Sequence, residues 1–256
     1  IVGLVLIVIL LIPYNIITGL LFTLIAIVGM HEYLGAISKV CKPVKWVAYL
    51  SCAVVSIPSF ISNQELPKIL MYSIPFVLLI LFSQVIATDM KTTFKDMAYT
   101  LLGICYIPTF LMFLTMIDKM QNGKILLGYI FIASWGTDVF AYCIGKRFGK
   151  HKFSKVSPKK SIEGCIAGTI GATILALIYT LILNKGFSFE YSYIIVGILG
   201  IVLSLIGQLG DFSASCIKRY VDIKDYSNLL PGHGGMLDRI DSVLFIAPFA
   251  YMLFTM

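Results

Sequence analysis

Charge is what this sequence has least of. Only 13% of its 256 residues are Asp, Glu, Lys or Arg, and 59% are hydrophobic, where a soluble domain carries about 25% and about 45–50% respectively. With a mean hydropathy of +0.93, a water-soluble globule is excluded. Paired cysteines are also lacking: the six cysteines form no C-x-x-C spacing and most lie in apolar runs, where a thiol behaves as a small buried hydrophobe. Neither a disulfide nor a zinc site is expected. No run alternates polar and apolar residues regularly enough for a membrane barrel strand. Internal repeats are missing as well. The opening apolar run has no charged flank or small-residue cleavage site, so nothing marks it as a removable signal peptide. Because the chain starts at Ile1 rather than Met, residues ahead of it are expected.

What is present is a series of apolar runs separated by breakers. They place spans near residues 1–12, 19–38, 44–61, 69–87, 98–117, 125–144, 165–183, 192–209 and 240–255, about nine at about 20 residues each. The expected fold is all-α: one polytopic membrane domain over 1–256, with less well-marked helices over 1–124 and the site-bearing part over 125–256. The first run is too short to cross about 30 Å alone, unless it continues into the second with a break near Pro13.

A net charge of +7 is compatible with nucleic acid, anionic lipid or a phosphorylated substrate, and position decides. Of the 20 Lys and Arg, only Lys68, Lys119, Lys124 and Lys185 fall in the odd-numbered connections. The rest crowd into the even-numbered ones. Basic residues accumulate on the cytoplasmic side, so the two long polar connections, 151–163 and 211–239, are expected in the cytoplasm. Nucleic acid is not an expected partner.

The second of these connections holds the densest polar chemistry. Asp211, Ser215, Lys218 and Asp222 are spaced to share one helix face. Asp238 and Asp241 lie three apart where the last span begins. Paired carboxylates are hard oxygen ligands suited to Mg²⁺, which keeps waters and binds substrate phosphates beside one or two carboxylates. The plainer alternative pairs these acids with Arg219, Arg239 and Lys224 in a solvated loop. Asp241 argues against it, because an unpaired carboxylate inside a span costs several kcal/mol. Pro231-Gly-His233-Gly234-Gly235 supplies glycines that let backbone N–H groups approach an anion, just before a helix N-terminus that favours phosphate. His233 is open to three readings: phosphate ligand, acid for a leaving group, or turn residue.

The other connection contributes Ser157-Pro158-Lys159-Lys160-Ser161. Lysines 146 to 155 suit anionic headgroups equally well, but Lys159 and Lys160 sit in a turn fixed by proline and flanked by hydroxyls. Asp138, about 9 Å inside its span by helix rise, is a site candidate by position.

Taken together, Ser215-x-Ile-Lys218-Arg219-x4-Lys224-Asp225-x-Ser227 and Pro231-Gly-His233-Gly234-Gly235-x2-Asp238-Arg239-x-Asp241 resemble the signature of phosphatidate cytidylyltransferases, also called CDP-diglyceride synthetases. Asp138-x2-Ala-Tyr142-x2-Gly145-x2-Phe-Gly149 and Ser157-Pro-x-Lys159-Lys160-Ser161-x-Glu163-Gly164 resemble that family's upstream motifs. Ser161 stands where the family usually has Thr, a change that keeps the hydroxyl. The resemblance implies Mg²⁺-dependent transfer of CMP from CTP to phosphatidic acid within the lipid bilayer, giving CDP-diacylglycerol and pyrophosphate, in a homodimer. Roughly −4 on CTP meets roughly −2 on the lipid, and two divalent ions offset about four of these charges; positioned cations must offset the rest. On this basis Asp211, Asp238 and Asp241 are assigned to metal, Asp138 to metal or nucleotide, and Lys159, Lys160, Lys218, Arg219, Lys224 and Arg239 to phosphates, with Ser157, Ser161, Ser215, His233, Gly234 and Gly235 as further phosphate contacts. A CTP-dependent polyprenol or phytol kinase and a transporter are the rival readings.

Overall fold

The computed structural model describes residues 15–60, 66–154, 157, 160–187, 189–229 and 234–255. Among them every regular element is helical. In chain order these are α1 (Asn15–Ile37), α2 (Lys45–Ser51, continued as a 3₁₀ segment, Cys52–Ser56) and α3 (Leu66–Ala87). Then come α4 (Phe94–Asp118), α5 (Gly123–Phe148), α6 (Ile162–Gly186), α7 (Tyr193–Tyr220) and α8 (Leu237–Thr255). α4 and α5 each contain one wide π turn, Cys105–Thr109 with Pro108 inside it and Ile132–Gly136.

Five of the nine expected spans are met, among the described residues, by helices long and apolar enough to cross a membrane: Ile16–Ile37, Phe94–Asp118, Gly123–Phe148, Ile162–Gly186 and Tyr193–Tyr220. Among the described residues the chain is thus all-helical, with the spanning helices of an integral membrane protein. The runs near 44–61 and 69–87 form shorter apolar helices, Lys45–Ser56 and Met71–Ala87; a 12-residue helix rises only about 18 Å. The first expected run, 1–12, lies outside the described residues. α8 carries Asp238, Arg239 and Asp241 in its first turns, which leaves its apolar part short.

The chain forms two compact units, Ile1–Lys124 with Tyr220–Arg239, and Ile125–Arg219 with Ile240–Met256. In the first, α1 buries Phe22, Met30, Tyr33, Leu34 and Ile37. Gly103 of α4 leaves room for the Tyr33 ring, 2.5 Å from where a Cβ would stand, and the Tyr33 hydroxyl donates to Tyr99 O at 2.9 Å. α4 starts with a capping box in which the Thr93 and Asp96 side chains each accept the other's backbone N–H, satisfying donors the helix leaves unpaired. Asp96 also accepts from Lys42 N at 2.5 Å, tying the 38–44 connection to α4.

In the second unit the seam between α5 and α6 is built from small residues. A Cβ on Gly164 would stand 2.8 Å from Ala141 O, and one on Gly168 2.8 Å from Thr137 O. In lipid there is little hydrophobic force between helices, so close backbone approach through small residues supplies the packing. α7 meets α8 in the same way: a Cβ on Gly210 would stand 2.8 Å from Asp241 O. This contact holds the start of α8 against α7 one residue before Asp211.

Candidate active site

In the Ile125–Arg219/Ile240–Met256 unit, charged side chains from three helices gather around Lys160, in the turn before α6. Asp138 comes from α5, Lys160 from the turn before α6, Asp211 and Lys218 from α7, and Asp241 from α8. The Lys160 ammonium pairs with Asp211 Oδ2 and stands 4.5 Å from the centroid of the Phe212 ring, which is stacked on Phe153. Burial pulls Lys160 below the usual lysine range, Asp138 and Asp241 oppose that shift, and Lys218 adds to it. Lys160 therefore lies close enough to Asp138, Asp241 and Lys218 to feel the charge of each. Asp241 is 6% exposed, and its Oδ1 accepts Ser242 N at 2.8 Å.

The turn that presents Lys160 is built locally. Ser157 O accepts Lys160 N at 3.1 Å, and Ser161 caps α6 by accepting Gly164 N at 3.1 Å. Gly145 and Gly164 pack backbone to backbone beneath it. Ser161 thus has a capping role beside any role with phosphate. A cavity of about 350 Å³ opens over these residues, lined by Asp138, Tyr142, Lys146, Lys160, Ser161 and Gln208 among others. A second cavity of about 430 Å³, almost wholly apolar, shares Cys165 and Gln208 with the first and is flanked by Phe153 and Phe212. Gln208 was not marked by the sequence motifs. It donates to Thr169 Oγ1 at 2.9 Å in a buried hydroxyl cluster with Ser204 and Thr137.

Asp211, Ser215 and Lys218 share the α7 face that their spacing predicts, but Asp222 does not. The helix ends at Tyr220, and Asp222 adopts φ 53°, the left-handed geometry that stops a helix. Arg219 is exposed at the helix end.

In the Ile1–Lys124/Tyr220–Arg239 unit, the signature loop folds around two carboxylates. Asp238 Oδ2 accepts Tyr226 N at 2.9 Å and Gly235 N at 3.0 Å. Asp238, expected as a metal ligand, thus commits one oxygen to two backbone donors. Gly234 has φ +79°, a geometry costly for any residue with a Cβ. The second carboxylate is Glu32 of α1, which the sequence motifs did not include. It accepts from Ser227 Oγ at 2.5 Å, Met236 N at 2.9 Å and Leu237 N at 2.7 Å. Lys224 and Arg239 are exposed. Lys159 and His233 lie outside the described residues.

Known proteins bear on these two groups of residues. The whole chain, residues 1–256, matches the cytidylyltransferase family. A protein named phosphatidate cytidylyltransferase from Bacillus subtilis (strain 168) is 36% identical over 180 residues, 70% of this chain and 65% of that protein. Proteins of the same name from Staphylococcus haemolyticus (strain JCSC1435) and Staphylococcus saprophyticus are each 31% identical, covering 90% and 81% of this chain and 86% and 77% of their own lengths. The chain therefore spans just under two thirds of the Bacillus relative and more of the staphylococcal ones. With the whole chain matched, the chain belongs to the cytidylyltransferase family.

Proposed function

We propose that this chain transfers CMP from CTP to phosphatidic acid, yielding CDP-diacylglycerol and pyrophosphate. The observation that carries the reading is the pairing of two cavities across Cys165 and Gln208, one lined by Lys160, Lys146 and Asp138, the other apolar. A substrate with an anionic head and acyl chains matches both. The relatives' shared name agrees with it. In this reaction a phosphate oxygen of the lipid forms a bond to the α-phosphorus of CTP, and the bond from that phosphorus to the pyrophosphate oxygen breaks. The phosphate is already ionised at pH 7, so the task left to the protein is in-line positioning and charge neutralisation. Lys160, Lys218 and Arg219 supply cations to the phosphates.

Mg²⁺ belongs to this reading. Among the described residues no three His, Cys, Asp or Glu side chains cluster as a self-sufficient metal site. Mg²⁺ does not need one, since it is commonly bound by one or two carboxylates together with substrate phosphates and waters. Asp211, paired with Lys160, and Asp241, whose charge Lys160 feels, are carboxylates of the kind that donor set calls for. Lys160 engages only Oδ2 of Asp211, and a carboxylate offers about four lone-pair sites. When bound, the ion would stabilise charge on the transferring phosphoryl group.

The test uses CTP labelled either in the cytidine or at the γ-phosphate, with phosphatidic acid and Mg²⁺. Cytidine label should enter lipid, with pyrophosphate released in equal amount. Label entering lipid only from the γ-phosphate would make the chain a kinase. The same reading places the site in the cytoplasm, supported by the one-sided distribution of Lys and Arg. In a cysteine-free background, single cysteines at Ser157 and Ser227 should react with an impermeant maleimide only after permeabilisation; labelling of intact cells would overturn the orientation.

A further inference from the structure

Glu32 is an acid in an apolar helix, five residues before α1 ends, and it is 4% exposed. An ionisable residue at such a position is expensive unless its partners are supplied. Here they come from one segment about two hundred residues later: Ser227 Oγ, Met236 N and Leu237 N converge on its two oxygens. Ser227 in turn accepts Leu229 N at 3.1 Å. A Cβ on Gly235 would stand 2.6 Å from Glu32 Oε2, so any larger residue there would have to push the carboxylate aside.

For stability alone, a local Ser, Thr, Asp or Asn would cap the start of α8. A carboxylate on α1 does something a local cap does not. It fixes where α8 begins relative to α1, and it draws together Ser227 and Met236, the two sides of the signature loop. The direction of Asp238, one residue into α8 and bonded back to Gly235 N, follows from that clamp. We propose that Glu32 is a positioning residue: it clamps the two sides of the signature loop so that Asp238 and Arg239 are presented for the nucleotidyl transfer. The proposal rests on the CMP-transfer reading above.

The experiment compares the purified full chain in detergent with Glu32→Gln, whose amide group would face N–H donors where the carboxylate accepted. Limited trypsin cleavage after Lys224 should accelerate about 10-fold or more, while cleavage in the 39–45 connection keeps its wild-type rate. The turnover number should fall about 10-fold or more, the scale set by losing a hydrogen bond to a charged group, with KM for phosphatidic acid within about threefold of wild type. Cleavage at the wild-type rate, or faster cleavage with unchanged turnover, would overturn the proposal. Should Glu32→Gln unfold, Gly235→Ala decides instead: its new methyl group displaces the carboxylate without removing it. The double variant Gly235→Ala/Glu32→Asp withdraws that carboxylate by one methylene and should recover turnover at least about threefold over Gly235→Ala; no recovery would overturn the clamp. If the wild-type chain transfers no CMP, the reaction reading falls and the cleavage rates alone decide the clamp.

Discussion

Replacing Asp211 or Asp241 by Asn should lower turnover at saturating Mg²⁺ by at least about 10²-fold, the loss typical of removing one electrostatic stabiliser of a transition state. The substitution keeps side-chain volume and most hydrogen-bonding capacity, and it removes a negative charge that a hard cation requires. The thermal midpoint in detergent should move little. A purely structural role for Asp211 makes the opposite forecast. Its partner Lys160 has a side chain only 26% exposed, and removing one member of a largely buried pair costs about 3–5 kcal/mol. A variant that is strongly destabilised yet turns over at a near-normal rate would therefore remove Asp211 from the reaction. Asp241, 6% exposed and set beside α7 by Gly210, is the cleaner of the two tests, because its buried carboxylate has more to lose by being structural.

The sequence made the helical class legible because hydropathy depends on composition over about 20 residues, and the bilayer demands that composition. Span limits were less legible. An apolar run does not say whether a helix is long enough to cross, and 44–61 is divided by a 3₁₀ segment at Cys52–Ser56. The α7 face was legible down to Lys218, since Asp211, Ser215 and Lys218 obey one period, and it failed at Asp222 because nothing local announces a left-handed residue there. Glu32 and Gln208 escaped for a different reason. Each acts through partners far away in sequence, Leu237 N for Glu32 and Thr169 Oγ1 for Gln208. Glu32 did carry a signal, an acid inside an apolar run, of the same kind that singled out Asp138. Ser161 was picked for its hydroxyl, which the structure employs in capping α6; a capping serine and a phosphate-binding serine have the same sequence appearance, since both precede a helix start.

Lys160→Met should reduce turnover by about 10²-fold or more, because it keeps the apolar stem against Phe212 while removing one preorganised charge from the phosphates. Lys160→Arg should recover part of that loss, and pH separates the two forms of the site. Burial holds the Lys160 ammonium below the ordinary lysine range, so it loses its proton at a lower pH than an exposed lysine, whose pKa is about 10.4. Activity that depends on this cation should fall on the alkaline side as pH rises through that lowered value. Arginine stays protonated throughout, so the alkaline limb should move to higher pH in Lys160→Arg. Between the folded and unfolded pKa values the unfolded chain binds more protons at residue 160 than the folded one, so the contribution of Lys160 to stability increases as pH rises through the window in which activity is lost. The contribution of Lys160 to the thermal midpoint, read as wild type minus Lys160→Met over the same pH range, should therefore rise while activity falls. An alkaline limb identical in wild type and Lys160→Arg, or a Lys160→Met variant within about threefold of wild-type turnover, would take Lys160 out of the reaction and leave it as the structural partner of Asp211.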